Sequence, residues 1–130
     1  MFDIVPFQEM RQYELTVLYP EQVADLDLQI YLYPFTGQAD IFVNPNECPE
    51  NHRQFKWKSR RKSIEILDIT PEERKAAGSS DQKFCIQVFT NSFSSYVIGS
   101  QFLDKNNLAL SFNEPQQGRS WKLIKRLVTR

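Results

Sequence analysis

The chain lacks most of what a membrane protein or a metal-dependent enzyme needs. No apolar run approaches the ~20 residues that a helix requires to cross a bilayer, so membrane insertion is not expected. The opening MFDIVPFQEM has neither a basic n-region nor an apolar h-region and does not read as a secretory signal. An exported protein would carry this stretch in its mature part. There is one histidine, His52, in a polar loop between Asn51 and Arg53, where a solvated surface role is expected. No Gly-x-Ser-x-Gly elbow, phosphate-binding loop or histidine pair is present, and no C-x-x-C or Cys/His cluster supports zinc. No enzymatic activity is expected on these grounds.

Net charge is also absent: 16 basic residues balance 16 acidic ones. The balance hides a skew. Residues 1–50 hold nine acids against Arg11, and residues 51–130 hold the remaining seven acids against fifteen bases. Such a skew can steer head-to-tail contact with a like module, although strand placement alone also produces it. A neutral chain argues against a nucleic-acid partner.

What is present is a pattern of period two. Tyr13, Leu15 and Val17 alternate with polar residues, as do Leu26, Leu28, Ile30 and Leu32, then Phe55 and Trp57, Ile64 and Ile66, and Phe84, Ile86 and Val88. Tyr96 and Ile98 follow, then Leu108, Leu110 and Phe112. One apolar and one mostly polar face per run is the mark of antiparallel strands packed on one side. Turn-forming clusters such as PFTGQ, NPNECPEN, TNSFSS and NEPQQG separate the runs. Only TPEERKAAG reads as helix, near 71–77. Thr70 is placed to N-cap it, Pro71 takes the first helical position, Glu73 completes a capping box and Gly78 stops it. The expected fold is an all-β antiparallel sandwich of about eight strands, jelly-roll-like, with one short helical turn. Ten Phe, five Tyr and two Trp among 130 residues supply much of its buried area.

Two cysteines, Cys48 and Cys85, form an even pair on a small β-rich chain. In an oxidising compartment they read as one disulfide, and in a reducing one as two free thiols.

Near the two ends, QEMRQYEL (8–15) and QQGRSWKL (116–123) match at Gln8/Gln116, Arg11/Arg119, Tyr13/Trp121 and Leu15/Leu123. Residues 1–113 therefore read as one unit, and 114–130 as its last strand or as the start of a following repeat.

Several residues are candidates for a site. Asp25, Asp27, Asp40 and Glu47 are the acids available for calcium, although no Asp-x-Asp-x-Asp-Gly loop accompanies them. Asp40 interrupts an apolar strand and reads first as a fixture of the preceding Gly-containing turn, its carboxylate accepting nearby hydrogen bonds. Tyr31, Tyr33, Phe42 and Phe89 fall opposite the core-facing residues of their strands and form the candidate interaction surface, suited to a glycan or a protein. Arg53, Lys56, Lys58, Arg60, Arg61 and Lys62 interleave with Phe55 and Trp57. With both rings turned inward, the cations form a solvated face.

The stretch LTVLYPEQVADLDLQIYLYPFTGQADIFVNP resembles the bacterial pre-peptidase C-terminal domain. Asp27-Leu28-Gln29-Ile30-Tyr31-Leu32 and Gly37-Gln38-Ala39-Asp40-Ile41-Phe42-Val43 correspond to its Asp-Leu-x-Ile-x-Leu and Gly-x-Ala-Asp runs. KFCIQVFTNSFSSYVI resembles its later hairpin, with Thr90 and Asn91 where a glycine is usual, and TPEERKAAGSSDQ lengthens the approach. The resemblance implies a β-sandwich that is extracellular and non-catalytic. It is then a structural or assembly module touching neighbouring modules of a larger surface or filament protein, or an accessory domain of a secreted hydrolase that binds carbohydrate or protein.

Overall fold

The computed structural model describes residues 1–6, 9–49, 55–59, 64–104 and 122–127. They form two antiparallel sheets facing each other. Strands β1 (Phe2–Val5), β8 (Ser94–Leu103), β3 (Asp27–Thr36) and β6 (Glu65–Ile69) make a four-stranded sheet in that order. Strands β5 (Trp57–Ser59), β4 (Ala39–Pro45), β7 (Lys83–Thr90), β2 (Glu9–Val17) and β9 (Lys122–Leu127) make a five-stranded one. Nearly every connection crosses from one sheet to the other, the β4–β5 link excepted, as in a jelly roll. Of residues 114–130, the part described is β9, which lies antiparallel to β2 with Ile124 opposite Leu15. Gln8, Gln116, Arg119 and Trp121 lie outside the described residues.

The core follows the period-two pattern. Tyr13, Leu15 and Val17 of β2, Ile41 and Val43 of β4, and Phe84, Ile86 and Val88 of β7 meet Leu28, Ile30 and Leu32 of β3 and Tyr96, Ile98 and Phe102 of β8. Each such side chain contributes roughly 1.5–3 kcal/mol on leaving water. Gly37 makes the corner between β3 and β4 with φ +74°, and a Cβ there would collide with Ser94 and the Phe93 carbonyl. The Cys48–Cys85 disulfide is formed, with Cα atoms 5.0 Å apart and a sequence separation of 37. In the chain-entropy account, closing such a loop stabilises by about 3–4 kcal/mol.

The helix α1 (Pro71–Ala76) forms with its expected caps. The Glu73 amide donates to Thr70 Oγ1 at 3.1 Å, and Gly78 takes φ +77° beyond the C-terminus. Its position places Arg74 inside the protein, 1% exposed. The guanidinium donates to Asp81 Oδ1 (2.7 Å) and to the carbonyls of Leu26 (2.8 Å), Ile69 (3.1 Å) and Val23 (3.3 Å). A buried cation is tolerated only when its donors are satisfied in this way. One side chain thus ties the β2–β3 connection, the end of β6 and the approach to β7.

Two expected registers are corrected. In β6 it is Glu65 and Ile69 that are buried, while Ile64 is exposed and Ile66 half-buried. Pairing with β3 sets this register: Ile69 lies opposite Leu28, and Glu65 opposite Leu32. Glu65 is kept inside by a 2.6 Å hydrogen bond from the Ser59 hydroxyl. Phe55, expected to turn inward with Trp57, precedes β5 and is exposed, whereas Trp57 packs on the core.

Candidate functional site

The outer face of the four-stranded sheet is the candidate interaction surface. Tyr33 lies opposite Val97, and Val97 opposite Phe2, so three apolar residues form a row across β3, β8 and β1. A register shift between Pro34 and Thr36 leaves Phe35 without an opposite residue. Such bulges re-aim side chains, and here the Phe35 ring stands 6.0 Å from Phe2. Phe35 is 65% exposed, and Phe2, Ile4 and Tyr33 are exposed with it. Tyr31 stands 5.2 Å from Tyr33. It lies over Gly99, where a Cβ would meet the phenol ring, so the glycine lets the tyrosine lie down on the sheet.

Beside the rings runs a polar ladder. Gln101 Nε2 donates to Gln29 Oε1 at 2.6 Å, and Gln29 Nε2 donates to Asp68 Oδ1 at 2.9 Å. The glutamines are directly opposite on β3 and β8, so cross-strand pairing aligns them.

The other two aromatic candidates lie on the opposite side of the molecule, on the five-stranded sheet. Phe42 and Phe89 stand edge to face at 5.0 Å, and Phe55 sits 5.2 Å from Phe42. Phe42 is only 8% exposed. It is therefore not an open contact residue: the two neighbouring rings cover it. The four aromatics do not make one surface.

The acids do not gather. Asp25 is exposed in the loop before β3, Asp27 begins β3 and Glu47 is exposed after β4. Asp40 lies within β4 of the other sheet, opposite Phe89. Among the described residues no group of three or more acidic, histidine or cysteine side chains is placed to hold a metal ion. No hydrogen bond reaches the Asp40 carboxylate among the described residues. The corner it was expected to pin is held instead by Ser94, whose hydroxyl donates to the carbonyls of Ser92 (3.0 Å) and Gln38 (3.4 Å). Ser94 comes from β8, a long-range partner that no local motif announces.

Of the basic stretch, Lys56 and Lys58 are exposed, and the Lys58 amine lies 5.1 Å from the Phe55 ring centre. Arg53, Arg60, Arg61 and Lys62 lie outside the described residues, as does His52.

Sequence reasoning missed a polar network between the sheets. The Tyr13 hydroxyl bonds Asp3 Oδ2 and the Tyr96 hydroxyl, both at 2.5 Å, and Arg11 joins Asp3 (3.0 Å) to Glu9 (2.7 Å). Asp3 and Tyr96 belong to one sheet, and Glu9, Arg11 and Tyr13 to the other. Burial raises the Asp3 carboxyl, but the Tyr13 hydroxyl, the Ile4 amide and Arg11 outweigh it and leave the group lowered. Burial, then the Asp3 carboxylate, pushes the Tyr13 phenol far above its ordinary value. Burial likewise raises Tyr96, to about 12, against the pull of the Tyr13 hydrogen bond and Arg11. Both phenols therefore stay protonated near neutrality. The network acts as a strut, not as an acid–base pair. Its only sequence signal was Arg11 and Tyr13 alternating toward the core side of β2.

No protein-family model matches the chain, and no curated protein is significantly similar to it.

Proposed function

We propose that this chain is a non-catalytic extracellular β-sandwich module of the pre-peptidase C-terminal type. Its role is structural, joining neighbouring modules of a larger surface or filament assembly through the outer face of the four-stranded sheet. The observation that carries the reading is the open cluster of Phe2, Ile4, Tyr33 and Phe35. At ~200 Å² per large side chain, half exposed, it offers on the order of 400 Å² of apolar surface, near the upper end for a monomer. The disulfide suits the oxidising environment of such an assembly.

Sedimentation at protein concentrations from micromolar to millimolar tests it. Wild type should self-associate, and Phe35→Ser combined with Tyr33→Ser should weaken association at least tenfold with the fold intact. A wild type that stays monomeric throughout, or a variant that associates equally well, overturns the reading. A second reading rests on the tyrosines lying beside the Gln29–Gln101 ladder. Rings and amides together suit a neutral sugar, as in an accessory domain of a secreted hydrolase. A glycan array in which binding is lost with Tyr31→Ala and Gln101→Ala would favour it.

A further inference from the structure

The apolar row on the four-stranded sheet does not end at β3. Glu65 lies opposite Leu32, so the antiparallel register sets Ile64, the residue before β6, beside Tyr33. Ile64 is exposed. The row then runs Phe2, Val97, Tyr33, Ile64 and spans the whole sheet. Ile4 and Phe35 flank it on one side. Half-buried Tyr31 and Ile66, opposite each other, flank it on the other. Taking half of each exposed side chain and a quarter of each half-buried one, at ~200 Å² apiece, the face offers about 650 Å² of apolar surface. Two such faces together bury about 1,300 Å², inside the ~1,200–2,000 Å² of a specific interface. No cation stands on this face among the described residues, and its acids, Asp27 and Asp68, lie at the far end beyond Tyr31.

We propose that the partner of this face is the same face of a second copy, packed sheet on sheet about a two-fold axis near Tyr33 and Val97. The inference rests on the assembly reading above, and names what the outer face meets. An isologous contact needs one self-complementary patch, whereas a head-to-tail contact needs two different ones. Among the described residues there is one such patch. Elsewhere Leu18 stands at the far end of β2, Phe93 in the turn before β8, and Phe55 on the other sheet with the Lys58 amine over its ring. These are scattered residues, not a second face. With the apolar row central and the acids at one end, two copies bring no like charges into the middle, where they would oppose binding. Pairing then stops at two, because each copy has used its face. Any longer assembly grows through a different surface.

The test follows backbone amide shifts of the whole chain by NMR, beside sedimentation, from micromolar to millimolar protein. Shifts should be confined to β1, β8, β3 and the start of β6, and the mass should level off at two copies. Tyr33→Lys and Tyr33→Glu should each weaken self-association ~10-fold or more. Their equimolar mixture should associate ~10-fold or more tighter than either alone, since opposite charges then meet across the axis. Tyr33 is exposed, and the Tm of each variant checks the fold. Should either variant lose the fold, the wild-type shifts and mass decide alone. Shifts on a second surface, growth past two copies, or a mixture no tighter than its parts overturn the proposal, and leave self-association through this face standing. A wild type that is monomeric throughout overturns the assembly reading and the proposal together.

Discussion

On the four-stranded sheet Tyr33 and Phe35 turn their rings to solvent, whereas on the five-stranded sheet Phe42, Phe55 and Phe89 pack theirs against one another. Tyr33, Phe35, Phe42 and Phe89 all lie opposite the core-facing residues of their strands. The difference comes from what stands beside each face. The Phe42 ring is covered by a residue preceding β5 and by its neighbour on β7, on the same sheet whose β7 anchors the disulfide. Among the described residues the ring beside Phe35 is that of Phe2, on a four-residue edge strand, and Phe35 stays 65% exposed. An outward aromatic therefore reads as structure or as a contact surface according to its covering, not its alternation.

Breaking the covered side should have the largest effect. Replacing Cys48 and Cys85 together by serine should lower stability by about 3–4 kcal/mol in denaturant unfolding, with the aromatic face of the other sheet still able to associate. Phe42→Ala should cost about 2–3 kcal/mol, less than a fully enclosed phenylalanine because the site lies on an outer face. A double-mutant cycle with Phe89 should show coupling of about 1 kcal/mol.

Between the two faces stands the Asp3–Tyr13–Tyr96 tie, and pH separates it from them. Asp3 is lowered in the folded protein, so its contribution is present above the ordinary value of 3.8 and is lost as pH falls through the folded one. The phenols are raised, so their contribution is full below 10.0 and declines as pH rises past it, Tyr96 following toward about 12. Unfolding measured from pH 2 to 12 should show both limbs. Tyr13→Phe should flatten them and cost about 1–2 kcal/mol at pH 7. Smallest in stability is Phe35→Ser, expected within about 0.5 kcal/mol of wild type. Its effect should fall on self-association instead, which is the reverse of Phe42→Ala.

Much of the architecture was legible. Alternation at Leu28, Ile30 and Leu32 and at Phe84, Ile86 and Val88 named the inward residues because a strand offers two faces and only one can be buried. Thr70, Pro71 and Glu73 announced α1 because its caps are local. The candidate site was legible only in part. Tyr31 and Tyr33 were placed on an open face, but grouping them with Phe42 and Phe89 required knowing which strands share a sheet. Asp40 stood beside a glycine turn in sequence, yet Ser94, 54 residues further on, holds that corner.

By itself, then, the sequence determined the period of each strand, the helix with its caps and the availability of one cysteine pair, since each depends on neighbours a few residues away. Only the tertiary structure decided that Glu65 and Arg74 are inside, that Asp3 meets Tyr13 and Tyr96, and that one aromatic face is covered and the other open. Those outcomes depend on which distant carbonyl, hydroxyl or ring stands opposite, and strand pairing between remote segments sets that.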